Sequence, residues 1–382
     1  MNRITFTLNK ANIESAFLFW GLIFTLKPGY IYENIVLNNI FRVGVVMSLI
    51  IALFLSVKYW KIIYDKEIVF LLMIKGITII FTIFNKGDLR ELIYSTVTLW
   101  LECVLLVYCL KKKKDGLIIL NGVYAVIVYI NFFCMLIFPK GLYNFGGERV
   151  YTFVGHANSV IMFTFPLMVI SLLCIERGVY KNLSKMNLLV VLLSTFLIGS
   201  ATGLVVYSVF LICVVGLRFK NSVYSHLLFK FYLLVLVVIV GIVFFKIQHY
   251  FGFLIKSILQ RKADFTGREY YWKLTIDAIM KKPLGHGYVE GVHRVGGLGS
   301  HNYLLEALYE GGVFMLALYT QWVYMVSKKI NVMRNNNMGK FVLAAMISLI
   351  LIGITESVIV DSNWFVVFVI ALCLKSSRIR NE

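Results

Sequence analysis

The chain has 382 residues, of which 60% are hydrophobic, with a mean hydropathy of +0.82 and a formal net charge of +19. Soluble domains average about 45–50% apolar residues, so this composition excludes an ordinary soluble enzyme. In so apolar a chain the positive charge speaks first to loop orientation across a membrane, and nucleic acid is not an expected partner.

Apolar stretches of the length needed to cross a bilayer core, about 20 residues, recur from end to end. They are continuous rather than alternating, which predicts helices and not a barrel. In chain order about twelve spans are expected, at 13–27, 38–57, 67–84, 91–110, 117–138, 155–175, 187–200, 201–217, 227–247, 302–327, 341–359 and 362–374. The expected fold is therefore an all-α integral membrane protein of about 12 transmembrane helices. Pro28, Pro139 and Pro283 fall at or beyond helix ends, whereas Pro166 lies inside a span, which buried membrane helices tolerate. The six cysteines sit in apolar stretches without metal-ligand spacing and read as small buried hydrophobes.

With the N-terminus in the cytoplasm, the internal segments carry Lys58, Lys61 and Lys66, then Lys111 to Lys114, then Arg177, Lys181 and Lys185. Arg218, Lys220 and Lys230 follow, then Lys328, Lys329, Arg334 and Lys340, and the C-terminal tail has Lys375, Arg378 and Arg380. Each segment argues for the same orientation, with both termini cytoplasmic. The seventh and eighth spans are the shortest. They meet at Gly199-Ser200-Ala201-Thr202-Gly203, and the alternative is one long tilted span. The basic flanks favour two.

The segment 248–301 stands outside this pattern. It lies on the non-cytoplasmic side yet holds Lys256, Arg261, Lys262, Arg268, Lys273, Lys281, Lys282 and Arg294 against Asp264, Glu269, Asp277 and Glu290. Long loops translocate regardless of charge. Either anionic headgroups or a phosphate-bearing ligand suits such a surface. Within it Asp264–Met280 is expected to form an amphipathic helix, with Thr266 as N-cap and Glu269 closing a capping box. Pro283 ends that helix, a glycine-rich turn follows, and His301 and Asn302 open the next span. His286 and His293 are expected to be solvated.

The run TGREYYWKLTIDAIMKKPLGHGY, followed by SHNYLLEALYEGGV, resembles the O-antigen polymerase and ligase superfamily of polytopic membrane glycosyltransferases. The matching positions are Gly267, Arg268, Trp272, Pro283, Gly285, Gly287, His301, Asn302, Glu310 and Gly311. The earlier run GERVYTFVGHANSV supplies Arg149, His156 and Asn158. Many relatives carry Ser-Arg at the small-residue break, and here GSATG has no arginine. The resemblance implies a GT-C-like fold with one large extracytoplasmic loop. It divides the chain into a transmembrane bundle at 1–247, a catalytic loop at 248–301 and C-terminal transmembrane helices at 302–382. It also implies an undecaprenyl-diphosphate-linked oligosaccharide as donor, in the bacterial cytoplasmic membrane.

In that reaction a glycan leaves a diphosphate and joins a sugar hydroxyl. Arginine holds a departing diphosphate through bidentate contacts, and Arg268 and Arg149 are the candidates, with Arg294 third. A neutral histidine takes the hydroxyl proton, and His301 is the candidate base. Asn302, Trp272, Asn158, Glu310 and Glu356 are candidates for substrate contacts. For Trp272 and the Tyr270-Tyr271 pair an interfacial aromatic belt is an equal explanation. His156 is either structural or functional. The chain has no nucleotide-binding fingerprint and no Asp-x-Asp metal site. A lipid-linked donor is expected, with no cofactor and no metal.

Three activities are weighed. A polymerase of repeat units for capsule, exopolysaccharide or O-antigen is favoured, since heavy use of Ile, Lys, Asn, Phe and Tyr fits an AT-rich polysaccharide locus. The alternatives are a ligase delivering glycan to lipid A-core and a flippase. A flippase puts charges inside several spans along its path, and few are found here. Expected partners are membrane lipid, a chain-length regulator and a flippase.

Overall fold

The computed structural model describes residues 10–143, 150–220, 222–253, 257, 267–289, 299–356 and 365–374. Every regular element among the described residues is a helix. Among the described residues the only strand-like pairings are two isolated bridges, Tyr143 with Tyr151 and Thr152 with Gly155. Among the described residues eight helices are long and apolar enough to cross a membrane: Ile35–Lys58, Lys66–Asn85, Leu89–Lys112, Gly116–Ile137, Ala157–Glu176, Lys181–Ile198, Ala201–Arg218 and Leu227–Phe245. The protein is therefore a multi-pass membrane protein. The other four expected spans correspond to helices that are shorter or kinked. These are Ile13–Thr25, Asn337–Ile352 and Phe365–Cys373, and Tyr303–Met333, which breaks at Gly311 and Gly312.

The seventh and eighth spans are separate helices. Gly199, at φ +60°, ends Lys181–Ile198, and a new helix starts at Ala201. A left-handed residue stops a right-handed helix, and glycine takes that conformation without a Cβ penalty.

The chain forms two compact units, one of residues 1–63 and 101–200 and the other of 64–100 and 201–382. In the first, α7 (Gly116–Ile137), α8 (Ala157–Glu176) and α9 (Lys181–Ile198) pack together, and α1 (Lys10–Thr25) lies on α3 (Ile35–Lys58) and α7. Asn121, Ser171 and Asn187 meet at the centre of the three helices. The Asn121 side-chain carbonyl accepts from Ser171 Oγ and from Asn187 Nδ2, each at 3.0 Å. All three side chains are buried, and lipid offers a polar group no partner, so this knot fixes the helix register. Pro166 lies buried inside α8, as expected of a membrane helix.

In the second unit, α5 (Lys66–Asn85) packs on α13 (Tyr303–Met333), and α10 (Ala201–Arg218) on α14 (Asn337–Ile352). Lys329 on α13 reaches Asp65 and, at 3.2 Å, Glu67, while Trp322 Nε1 donates to the Glu67 carbonyl at 3.0 Å. These bonds clasp α5 to α13 at one end. Near its other end α13 starts under Asn302, whose side chain caps it by accepting from Leu305 N at 3.1 Å.

Candidate active site where the loop meets the helix

The amphipathic helix of the long loop is α12, Arg268–Lys281. Gly267, at φ +86°, precedes it, and the expected cap Thr266 lies outside the described residues. Glu269 serves another purpose than the expected capping box. Its carboxylate accepts from Gln248 Nε2 at 2.6 Å and lies 2.5 Å from His249 Nε2, tying the first turn of α12 to the segment after α11 (Leu227–Phe245). Trp272 turns inward and is 2% exposed, and its indole N–H donates to the Ser300 carbonyl at 2.9 Å. The sequence offered it as a sugar-stacking face. The structure encloses it as an anchor for the backbone just before His301, because an indole N–H is satisfied there.

Ser300 is pinned a second time. Its N–H and hydroxyl donate to Glu306 Oε1 at 2.8 and 2.9 Å. Asn302 is fully buried, and its Nδ2 donates to the Ile354 carbonyl at 2.9 Å, while Tyr303 N–H donates to the Gly353 carbonyl at 2.9 Å. Asn302 was expected to touch substrate. With its amide divided between a helix cap and the 353–356 turn, it acts as a brace. His301 lies between these fixed neighbours in the left-handed region, φ +48°, with 44% of its side chain exposed. A non-glycine residue is held there at a cost of roughly 1–2 kcal/mol, which the surrounding bonds must offset.

The braces bring three segments to one carboxylate. Glu356 Oε1 accepts from Arg268 Nη2 at 2.8 Å, and Glu356 Oε2 lies 3.4 Å from His301 Nδ1. The Arg268 and Glu356 side chains are mostly buried, at 21% and 10% exposed. Arg268, His301 and Glu356 are thus gathered from the loop helix, the mouth of α13 and the turn after α14. The sequence named all three but gave no sign that Glu356 joins the other two.

The glycines of the motif have a structural task. At Gly311 and Gly312 α13 leaves helical geometry, freeing carbonyls that a regular helix would use. The loop supplies donors to them. His286 N–H donates to the Tyr309 carbonyl at 2.7 Å and Gly287 N–H to the Glu310 carbonyl at 2.9 Å. The approach is so close that a Cβ on Gly285 would sit 2.5 Å from Gly311 Cα, and one on Gly312 would sit 2.1 Å from the Pro283 carbonyl oxygen. His286, expected in solvent, stacks on Tyr309 at 4.6 Å and lies 3.0 Å from the Ala278 carbonyl. Glu310, a candidate substrate contact, is 1% exposed inside this lock. Packing of the loop against the kink excludes solvent from Glu310 and leaves His286 partly exposed.

Of the remaining candidates, Arg149 and Arg294 lie outside the described residues, as does His293. His156 caps α8 through Nδ1, which accepts from Asn158 N–H at 3.1 Å. Asn158 is half-buried and its side-chain carbonyl accepts from Ser200 Oγ at 3.3 Å.

Residues 186–320 match the family model described as O-antigen ligase. The match supports the O-antigen polymerase and ligase superfamily for this segment. Neither a curated protein nor a solved structure matches the chain. The matched O-antigen ligase segment runs from α9 into α13 and holds Arg268, Trp272, His301 and the Gly311-Gly312 kink. Glu356 lies beyond it. Members of this family are membrane glycosyltransferase-like enzymes, acting on lipid-linked glycans in the membrane.

Proposed function

We propose that the protein is a polysaccharide polymerase that joins undecaprenyl-diphosphate-linked repeat units at the outer face of the bacterial cytoplasmic membrane. The observation that carries this is the convergence of Arg268 and His301, both inside the segment that matches the O-antigen ligase model, on Glu356, which lies beyond it. A guanidinium has five N–H donors, so the bond to Glu356 leaves Arg268 capacity for a diphosphate. As the glycosidic carbon parts from the diphosphate oxygen, that oxygen takes the bonding electrons. Preorganised positive charge stabilises them without rearrangement. With Nδ1 turned to Glu356, His301 keeps Nε2 for the acceptor hydroxyl and removes its proton as the new bond forms. Glu356 orients both groups, a different part from the acceptor contact expected of it. The metal-independent step leaves a glycan longer by one unit and a free lipid diphosphate. Arg149 and Arg294, which the resemblance offers as further cations, lie outside the described residues. The termini and the basic internal segments lie in the cytoplasm, and the 248–301 loop faces outward.

A second reading has a specific observation in its favour, since the matched family model is described as a ligase. In a ligase the acceptor hydroxyl belongs to lipid A-core, with the same groups in the same roles. Purified protein given only lipid-diphosphate repeat units should yield a ladder of polymer. Product formed solely when lipid A-core is added would replace polymerase by ligase, and no glycosidic product with either acceptor would remove both. No observation favours the flippase alternative.

A further inference from the structure

The first unit carries a group of aromatic rings that the chemistry above does not use. Between α7 and α8 the chain turns back on itself. Leu142 N–H donates to the Tyr151 carbonyl at 2.7 Å, and Thr152 N–H to the Gly155 carbonyl at 2.7 Å. A third segment, Pro28 to Tyr30 at the start of α2 (Gly29–Glu33), docks on it. Gly29 N–H donates to the Val154 carbonyl at 3.1 Å and Tyr30 N–H to the Phe153 carbonyl at 3.0 Å. Asn131, buried on α7, accepts from Val154 N–H at 3.1 Å and ties the turn to the helix.

These backbone bonds line up four rings. Phe153 lies 6.2 Å from Tyr30, Tyr30 lies 5.8 Å from Tyr143, and Tyr143 lies 5.2 Å from Tyr151, centroid to centroid. Interplanar angles are all 40–50°, and all four rings are partly exposed. Gly29 makes room for them, since a Cβ there would sit 2.7 Å from the Tyr143 hydroxyl oxygen.

We propose that Tyr30, Tyr143, Tyr151 and Phe153 form a binding platform for the sugar rings of the lipid-linked glycan. The inference rests on the glycosyltransferase reading above and adds to it a subsite for the glycan itself. Three features argue for a sugar. The rings offer apolar faces beside phenolic hydroxyls, which matches the alternating C–H and O–H surface of a pyranose. They are rigid, with two torsions each and a backbone fixed by hydrogen bonds, so little entropy is lost when a flexible oligosaccharide binds. Finally, membrane-belt aromatics sit individually at helix ends toward the headgroups, and nothing in that role requires main-chain bonds that draw rings from three separate segments into mutual contact. Burial, with Glu33 and Tyr151 nearby, pushes the Tyr143 phenol up to about 12, so it stays a hydroxyl donor at any physiological pH.

The test uses the full-length protein in detergent and the repeat-unit oligosaccharide itself. That oligosaccharide is released by mild acid from the lipid-linked intermediates that a strain lacking this gene accumulates. Saturating the aromatic protons of the wild-type protein should transfer magnetisation to the sugar protons, and transfer should fall at least threefold in Tyr143→Leu with Tyr151→Leu. In the transfer assay the same double variant should raise KM for the lipid-linked unit roughly 2–10-fold with kcat held, and Tyr143→Phe with Tyr151→Phe, which keeps the rings and removes only their hydroxyls, should raise it by less. No transfer to the sugar in the wild type overturns the platform, whatever the fate of the leucine variant. Unchanged KM in a folded leucine variant leaves the rings to the headgroup belt and overturns it too. Equal losses in the phenylalanine and leucine variants overturn ring stacking. If the wild type binds the sugar but forms no product, the glycosyltransferase reading fails and the platform stands.

Discussion

At the scale of single residues the centre is Glu356. A carboxylate near the end of an apolar helix is costly unless partnered, and here a guanidinium and an imidazole share it. Removing its charge while keeping its shape isolates that role. Glu356→Gln should lower kcat roughly 10–100-fold, the cost of misplacing two reacting groups, and His301→Ala should cost about 10²–10⁴-fold. Both are measured as transfer rates at saturating lipid-linked donor. A Glu356→Gln protein with wild-type kcat would show that His301 and Arg268 orient themselves without it. Arg268→Lys is not a mild change, because an ammonium lacks the planar fork that engages the Glu356 carboxylate and, in the proposed reaction, keeps further donors for a diphosphate.

At the scale of elements, the motif glycines and the kink in α13 form one lock. The loop's amides feed the carbonyls that the kink releases, and only residues without a side chain fit between the two backbones. Gly312→Ala puts a Cβ 2.1 Å from the Pro283 carbonyl oxygen at φ +62°, a clash and a strained torsion at once. It should lower stability by about 1–3 kcal/mol or more, read as an earlier thermal unfolding in detergent. Transfer activity should fall with it, since the same turn leads to Ser300 and His301. Wild-type melting and activity would mean the loop docks elsewhere. The sequence pattern contained these glycines in order, but their reason is visible only once the two strands of chain are in contact.

At the scale of the whole molecule, the order of apolar segments and the placement of Lys and Arg predict which side each connection faces. A phosphatase reporter that folds only outside the cytoplasm should be active when fused after Lys282 and silent after Lys114. A fluorescent reporter that matures only inside should do the reverse. Activity of the phosphatase at both sites would mean a miscounted span between them, with the break at Gly199 the first suspect.

The sequence by itself determined that this is a helical membrane protein and roughly where most of its apolar helices lie along the chain. Those properties are set locally, by hydropathy over about 20 residues and by prolines, glycines and caps within one turn. Tertiary structure alone decided the work of individual motif residues. It buried Trp272, Asn302 and Glu310, which were expected to contact substrate, gave His286 a ring to stack on, and brought Glu356 to Arg268 and His301 across 88 and 55 positions of chain. It also lined up Tyr30 with Tyr143, Tyr151 and Phe153. Side-chain partners so far apart in sequence depend on how helices pack, and no local pattern records that distance.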